Sequence, residues 1–403
     1  MIDIEQATKI VLEGKVDFGM EQVPIREAAG RILAEPLVAD RDFPPFDRVT
    51  MDGIAFVHAT LTGKKANGQP LLFPVLGIQA AGSPAQSLPD TTGCMEVMTG
   101  AVLPAGCDTV VRYEDVTIEN GVASLVDKAI RQGQNIHRQG TDRRAGSRII
   151  NPGKQLTAAE LGVAATVGKA MISVKRLPKA VIISTGNELV PVDQTPAPHQ
   201  IRSSNMYTIR TTLEKWGVEV ANKHLVDDAD IIRQELQACL DQYDMILLSG
   251  GVSKGKFDFV PQVLADLGVQ KFFHRVKQRP GKPFWFGQWH AQCTVFALPG
   301  NPVSSFMCTH RYVGPWLRAC LGMEPLLYDY AVLDAPFSFK PALTYFLQVK
   351  LDYKRDGRLC AVPVEGHGSG DLANLVDADG FLELPMDRTD FPEGELFPVI
   401  KYR

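Results

Sequence analysis

The period of the apolar positions changes several times along the chain. Ile4, Ala7, Ile10, Val11 and Val16 recur near helical spacing, which predicts an amphipathic helix over residues 3–17. The stretch "PIREAAGRILAEPLVA" predicts a second helix ending before Pro36. From "DRDFPPFDR" to residue 133 the texture turns to short strand-like runs ("LLFPVLGI", "MEVMTG", "DTVVRYEDVTI", "GVASLV") broken by Gly and Pro, as in a small β-rich domain. A helix then follows Thr157, with Glu160 three residues on as its capping-box partner.

Between 179 and 325 the pattern is that of alternating strands and helices. "KAVIIST", "VEVANKHLV", "YDMILLSGG" and "TVFALPG" read as strands; residues 205–216, "DADIIRQELQACLDQ", 258–268 and 302–321 read as helices. Such alternation predicts a multidomain α/β plus β protein with a mostly parallel sheet covered on both faces. Ligands then collect at the loops leaving the C-terminal ends of the strands. From 326 onward strand-like alternation returns ("YDYAVLDAPFSF", "YFLQVKLDYK", "GFLELP", "GELFPVIKY"), the mark of a terminal β-domain.

Length and composition narrow the function. At 403 residues the chain is too long for a single core, so two to four domains are expected. A net charge of −4 argues against a generally basic surface for nucleic acid or anionic lipid, leaving a small anion as the expected ligand. The start, "MIDIEQATKIVLEG", has neither a secretory signal nor a spanning run, and the expected location is cytoplasmic. Seven cysteines without C-x-x-C spacing read as buried thiols, and eight histidines form no ligand cluster.

Three loops leave strands of the α/β segment: "STGNEL", "SGGVSKGKFDF" and "LPGNPVSS". Each has glycine where the backbone turns or approaches a ligand, and exposed N–H groups at such turns bind anions. The second loop imitates a nucleotide phosphate loop through Gly250, Gly255 and Lys256, but Phe257 stands where the Mg²⁺-binding hydroxyl belongs. Asp258 lies next to it, placed either to bind a divalent cation or to cap the following helix. Downstream, "HRVKQRPGKPFWFG" brings Arg275, Lys277, Arg279 and Lys282 around a Pro-Gly turn, an arrangement suited to a doubly charged oxyanion.

In order, "PPFDRVTMDGIA", "MTGAVLPAGCDTVV", "STGNELV", "SGGVSKGKFDFV", "RPGKPFWFG", "LPGNPVSS" and "GHGSGDLANL" span nearly the whole chain. Together they resemble the MoeA family, related to the gephyrin E domain. The resemblance implies four domains: an elongated linker (1–40 and 140–176), a β-rich lid inserted in it (41–139), a MogA-like molybdopterin-binding α/β domain (177–325) and a C-terminal β-barrel (326–403). It implies insertion of molybdate into adenylylated molybdopterin with release of AMP and dependence on Mg²⁺. It also implies a homodimer with shared clefts, and contacts with molybdopterin adenylyltransferase and molybdoenzymes.

Carried over by motif, Asp52, Asp142, Glu188 and Asp258 are the expected catalytic acids, and Asp227 and Asp258 the expected metal ligands. Thr99, Thr185, Gly186, Gly250, Gly251, Ser253, Arg275, Arg279, Lys282, Pro299, Asn301, Pro302, Ser304, Ser305 and Ser369 form the expected substrate site. The bland reading of Asp52 and Asp142 is that of turn-forming acids. The chain departs from the family pattern at Arg48-Val49-Thr50, at Lys256, and at Leu343 and Gln348, where the family usually has arginines. Those last losses leave open a divergent paralogue with altered oxyanion handling, such as tungstate. A non-catalytic dimeric scaffold and a phosphate-loop kinase rank behind it.

Overall fold

The structure, a computed structural model, describes residues 1–126, 128–252, 259–325, 329–366 and 368–403. The N-terminal helix Ile4–Glu13 is capped by Asp3, whose carboxylate accepts the Gln6 N–H at 2.8 Å. It buries Ile4, Ala7 and Val11 and packs on the helix Gly314–Cys320. The helix expected over 24–35 does not form. A single 3-10 turn, Ile25–Glu27, is followed by Gly30 at φ 78°, and Ile32 and Leu33 then bridge to Gln155 and Val174. Burying both apolar residues in this small sheet outweighs the local helical pattern. The expected capping box does form: the Thr157 N–H donates to Glu160 at 2.9 Å and opens the helix Ala158–Thr166.

Residues 53–125 supply a six-stranded sheet, as the strand-like runs predict, together with a helix, His58–Ala66, that they do not. The helix buries Leu61 against Phe56 and Phe73. Its mixed Thr, Gly and Lys composition hides the helical period, and burial on the sheet stabilises it.

The α/β segment forms a second six-stranded sheet, in the order Val220–Leu225, Ala180–Thr185, Met245–Ser249, Cys293–Leu298, Trp285–Trp289 and Gln270–His274. The first four strands are parallel; Trp285–Trp289 pairs antiparallel with Cys293–Leu298, and Gln270–His274 antiparallel with Trp285–Trp289, so that the edge strand runs with the first four. Every side chain of Ala180–Thr185 and Met245–Ser249 is buried. Ile182 and Leu247 face one core while Ile183 and Leu248 face the other, which is why these strands read as continuous apolar runs. The chain leaves Ala180–Thr185 for the neighbour on one side and returns to Met245–Ser249 on the other, so the strand order switches direction between Thr185 and Ser249. Such a switch opens a crevice at the strands' C-terminal ends.

Residues Pro302–Cys308, Thr309–Val313 and Gly314–Cys320 form one continuous helix with a π turn in its middle. Pro315 lacks the N–H that an α-helical ladder needs, consistent with the local widening. In the C-terminal segment, Thr344–Tyr353, Leu359–Pro363, Asp329–Leu333, Leu396–Lys401 and Gly380–Leu384 pair in a ring that Thr344–Tyr353 and Gly380–Leu384 close as a barrel. The short strand Gln278–Arg279 adds to Thr344–Tyr353 in parallel, so a loop of the α/β segment is stitched to the barrel. No described helix is long and apolar enough to cross a membrane.

Candidate functional site

At the switch point the backbone is packed as tightly as glycine allows. Gly250 and Gly251 adopt φ 100° and 68°. A Cβ on Gly250 would lie 2.8 Å from the Thr185 carbonyl oxygen, and one on Gly251 would lie 2.9 Å from Thr185 Oγ1. Gly186, at φ 140°, is covered by the Glu188 carboxylate, 2.4 Å from where its Cβ would be. Gly300 approaches from the third loop, its Cβ position 3.6 Å from Gly250 Cα. Four glycines therefore line a cradle in which the Gly186 and Gly250 N–H groups donate to the Leu225 and Leu298 carbonyls at 3.3 Å, so an anion there would draw on the N–H groups of Gly251 and Gly300. The buried Thr185 Oγ1 has no hydrogen-bond partner within the described residues. A buried hydroxyl without a partner is costly, and a ligand oxygen in the cradle would supply one.

Two amides hold the loops in register. Asn187 and Asp227 bond reciprocally: the Asn187 N–H donates to Asp227 Oδ2 at 3.3 Å and the Asp227 N–H to Asn187 Oδ1 at 3.1 Å. Asn205 donates through Nδ2 to Ser249 Oγ at 2.9 Å and to the Gly300 carbonyl at 2.6 Å, while its buried Oδ1 has no partner among the described residues. His274 Nε2 donates to the Val252 carbonyl at 3.0 Å, and burial holds its pKa below the usual value. Motif reasoning passed over Asn205 and His274. Asn205 opens the helix Asn205–Lys215 in the stretch "RSSN", where a capping role is the natural reading, yet its side chain crosslinks two strand ends instead.

A second recess, about 180 Å³, opens between the α/β segment and the barrel. Arg279, Tyr345, Gln348 and Ser369 line it. Arg279 lies over the Phe339 ring at 5.9 Å, and burial raises the Tyr345 pKa while the nearby Arg279 opposes that rise. Gln348 Oε1 and Asn374 Nδ2 are both buried without partners among the described residues. Both amides lie close against Gly366: a Cβ there would be 2.7 Å from Asn374 Nδ2 and 3.3 Å from Gln348 Nε2. Ser369 ties this recess to the cradle's third loop, since Asn301 Nδ2 donates to Ser369 Oγ at 2.7 Å and the Val303 N–H to the Ser369 carbonyl at 3.1 Å. Pro299 is buried behind that loop. Ser304 and Ser305 are buried in the first helical turn, and the Ser305 hydroxyl donates to the Pro302 carbonyl at 3.0 Å.

Arg275 and Lys282 stand at the base of the Pro-Gly hairpin. The Arg275 N–H donates to the Phe284 carbonyl at 2.8 Å and the Val276 N–H to the Lys282 carbonyl at 3.0 Å. The remaining acids form a separate group. The Thr99 N–H donates to Asp52 Oδ1 at 2.6 Å, and the Thr99 backbone and hydroxyl together hold the Asp52 carboxyl below the usual range. Asp142 accepts from His137 Nε2 at 2.9 Å, and His137 Nδ1 lies 3.1 Å from Arg48 Nη2. A guanidinium only donates, so His137 Nδ1 is the acceptor and the ring proton sits on Nε2, facing Asp142. The hydrogen bonds of Asp52, Thr99 and Asp142 thus run within residues 43–143, apart from the cradle. Ser253 and Asp258, with Lys256 and Phe257, lie outside the described residues, and no group of three or more potential metal ligands occurs among the described ones.

An anion cradle at the switch point of an α/β sheet, coupled through Asn301 and Ser369 to a recess on a closed barrel, defines a multidomain protein of the α/β ligand-binding class. The chain belongs to the MoeA family. Residues 2–168 match the MoeA N-terminal region (domain I and II), 181–319 a probable molybdopterin binding domain, and 330–402 the MoeA C-terminal region (domain IV). A molybdopterin molybdenumtransferase from Synechocystis is 41% identical over 99% of both chains. One from Haemophilus influenzae is 31% identical over 99% of this chain and 98% of its own. The crystal structure of a molybdopterin biosynthesis MoeA protein from Pyrococcus superposes with a TM-score of 0.86 at 30% identity, covering 100% of this chain and 99% of the other.

Proposed function

We propose that the protein is a molybdopterin molybdenumtransferase that inserts molybdate into adenylylated molybdopterin, releasing AMP. The observation that carries this reading is the pairing of two unlike sites across one loop. A glycine cradle with the unpartnered Thr185 hydroxyl suits a phosphate-bearing ligand, and the Arg279 recess beside it suits a tetrahedral oxyanion. Thr185, Gly186, Gly250, Gly251, Asn301 and Pro302 hold the pterin phosphates, while Arg279 and Ser369 receive molybdate. Arg275, Lys282, Ser253, Pro299, Ser304 and Ser305 complete the pocket.

Mg²⁺ fits this chemistry, since the cation is commonly bound by one or two carboxylates together with substrate phosphates. Asp227, next to the cradle, and Asp258 are the residues that would hold it, and the ion would neutralise phosphate charge. Glu188, folded over Gly186, is placed to move protons at the cradle. Asp52 and Asp142 stand apart in their own chain, which fits a cytoplasmic homodimer in which the lid of one subunit completes the partner's cleft. The linker, lid, α/β and barrel boundaries given above follow the same reading, as do contacts with molybdopterin adenylyltransferase and molybdoenzymes.

A second reading, altered oxyanion handling, is favoured by Gln348. An uncharged amide there leaves Arg279 as the charged donor lining the recess. Purified protein supplied with adenylylated molybdopterin, Mg²⁺ and molybdate should release AMP and yield active cofactor. AMP release without molybdenum incorporation, or a clear preference for tungstate, would favour the second reading; failure to bind the pterin would contradict both.

A further inference from the structure

A cleft larger than the Arg279 recess lies elsewhere in the described structure. It has a volume of about 570 Å³ and lies where residues 29–32, the end of the helix Asn205–Lys215, the helix Gly314–Cys320 and the C-terminal residues 399–403 meet. It shares no lining residue with the Arg279 recess. His310 reaches it from the π turn, eight residues and so about 12 Å along the helix that begins at Pro302.

Three features of its wall bear on what it holds. Trp216 and Tyr402 supply aromatic surface, flanking the His310 ring at centroid distances of 5.5 and 6.0 Å. Trp216 also lies against Gly314, where a Cβ would come within 3.0 Å of its ring and push it aside. His310 Nε2 is buried and has no hydrogen-bond partner among the described residues; burial, with Lys215 nearby, pushes its pKa down to about 4. A neutral imidazole can donate or accept at that nitrogen, according to tautomer.

The third feature is charge. Arg31, Lys175 and Lys401 are engaged by Glu21, Asp17 and Asp329. Lys215 and Arg403 form no ion pair among the described residues, and Glu214, which also lines the cleft, is paired with Arg210; Arg318, with the Glu324 carboxylate nearby, and Arg403 donate to the carbonyls of Glu324 and Leu375. Unneutralised cations around an aromatic wall call for an anion on a flat ring. The volume is that of a small-molecule site.

We propose that this cleft is a second ligand site, for a planar aromatic compound carrying a phosphate and of nucleotide size. The ring packs on Trp216 and Tyr402, a ring heteroatom meets His310 Nε2, and the phosphate is held by Lys215, Arg318 and Arg403. This assignment does not depend on the transferase reading, because it uses none of the cradle residues.

Calorimetric titration of the full-length protein with AMP, adenosine and inorganic phosphate tests it. The cradle is disabled by Gly250→Ala, so that AMP held there does not contribute. The Gly250→Ala protein is expected to bind one equivalent of AMP, and Lys215→Glu in that background to weaken it by roughly tenfold or more. Adenosine and phosphate alone should each bind at least about tenfold more weakly than AMP. Should Gly250→Ala fail to fold, Lys215→Glu alone reads the same property as the loss of one AMP equivalent from the unmodified protein. A loss from two to one supports both sites, a loss from one to none supports this site and contradicts AMP binding at the cradle, and no loss contradicts this site. The proposal is overturned if AMP fails to bind, if Lys215→Glu weakens binding less than about tenfold, or if phosphate alone binds as tightly as AMP.

Discussion

The cradle and the Arg279 recess share the Asn301–Ser369 contact and are built on opposite principles. The cradle is backbone: Gly186, Gly250, Gly251 and Gly300 bring strand ends within van der Waals distance, and its few side-chain bonds hold loops together. The recess is side chain: Arg279, Tyr345, Gln348 and Ser369 come from segments far apart in sequence, joined when Gln278–Arg279 adds to the barrel. A site made of backbone tolerates no added atom, and a site made of side chains can be retuned one residue at a time. The family departure at Gln348 falls in the second kind.

That contrast orders the expected effects. Gly250→Ala should do the most harm, because the new Cβ meets the Thr185 carbonyl at 2.8 Å and the φ of 100° disfavours any L side chain. A loss of roughly 100-fold or more in kcat/KM for adenylylated molybdopterin is expected, of the order that follows a misplacement of about 1 Å. Retained activity would mean that the strand ends do not hold the substrate. Gln348→Arg should act in the opposite direction. A charge-assisted hydrogen bond contributes about 1.5–3 kcal/mol, so the KM for molybdate should fall roughly tenfold while pterin affinity stays constant. An unchanged KM would remove Gln348 from oxyanion binding.

The smallest expected effect concerns the lid acid. The Thr99 backbone and hydroxyl keep Asp52 ionised to lower pH than an ordinary aspartate, so a function needing its carboxylate persists down through the ordinary range and fades only as pH falls through the lowered pKa. Thr99→Val removes the hydroxyl and leaves the backbone donor. The acid limb of the pH–rate profile should then move upward. A limb that moves down, or not at all, would argue against Asp52 acting as the carboxylate.

The same contrast explains what the sequence made legible. The cradle announced itself because glycines at strand ends have a physical reason to be there, and the α/β strands because burial on both faces leaves unbroken apolar runs. The recess could not be read from local pattern. Arg279 and Ser369 entered through resemblance, and the pairing of Gln348 with Asn374 across Gly366 is a tertiary fact with no period of its own. Asn205 stayed hidden because an Asn at a helix start has a commoner explanation. The helix expected over 24–35 failed for the converse reason: Ile25, Ala28, Ala29 and Ile32 have helical spacing, but Ile32 and Leu33 found bridge partners in Gln155 and Val174.

The central claim is that the cradle holds the pterin and the recess holds the oxyanion. AMP release measured against molybdate concentration, in the unmodified protein and in Arg279→Ala, tests it most directly, with binding of adenylylated molybdopterin recorded in parallel. The account predicts a KM for molybdate raised by roughly tenfold or more in Arg279→Ala, with pterin binding unchanged. An unchanged KM for molybdate, or an equal loss of pterin affinity, would contradict it.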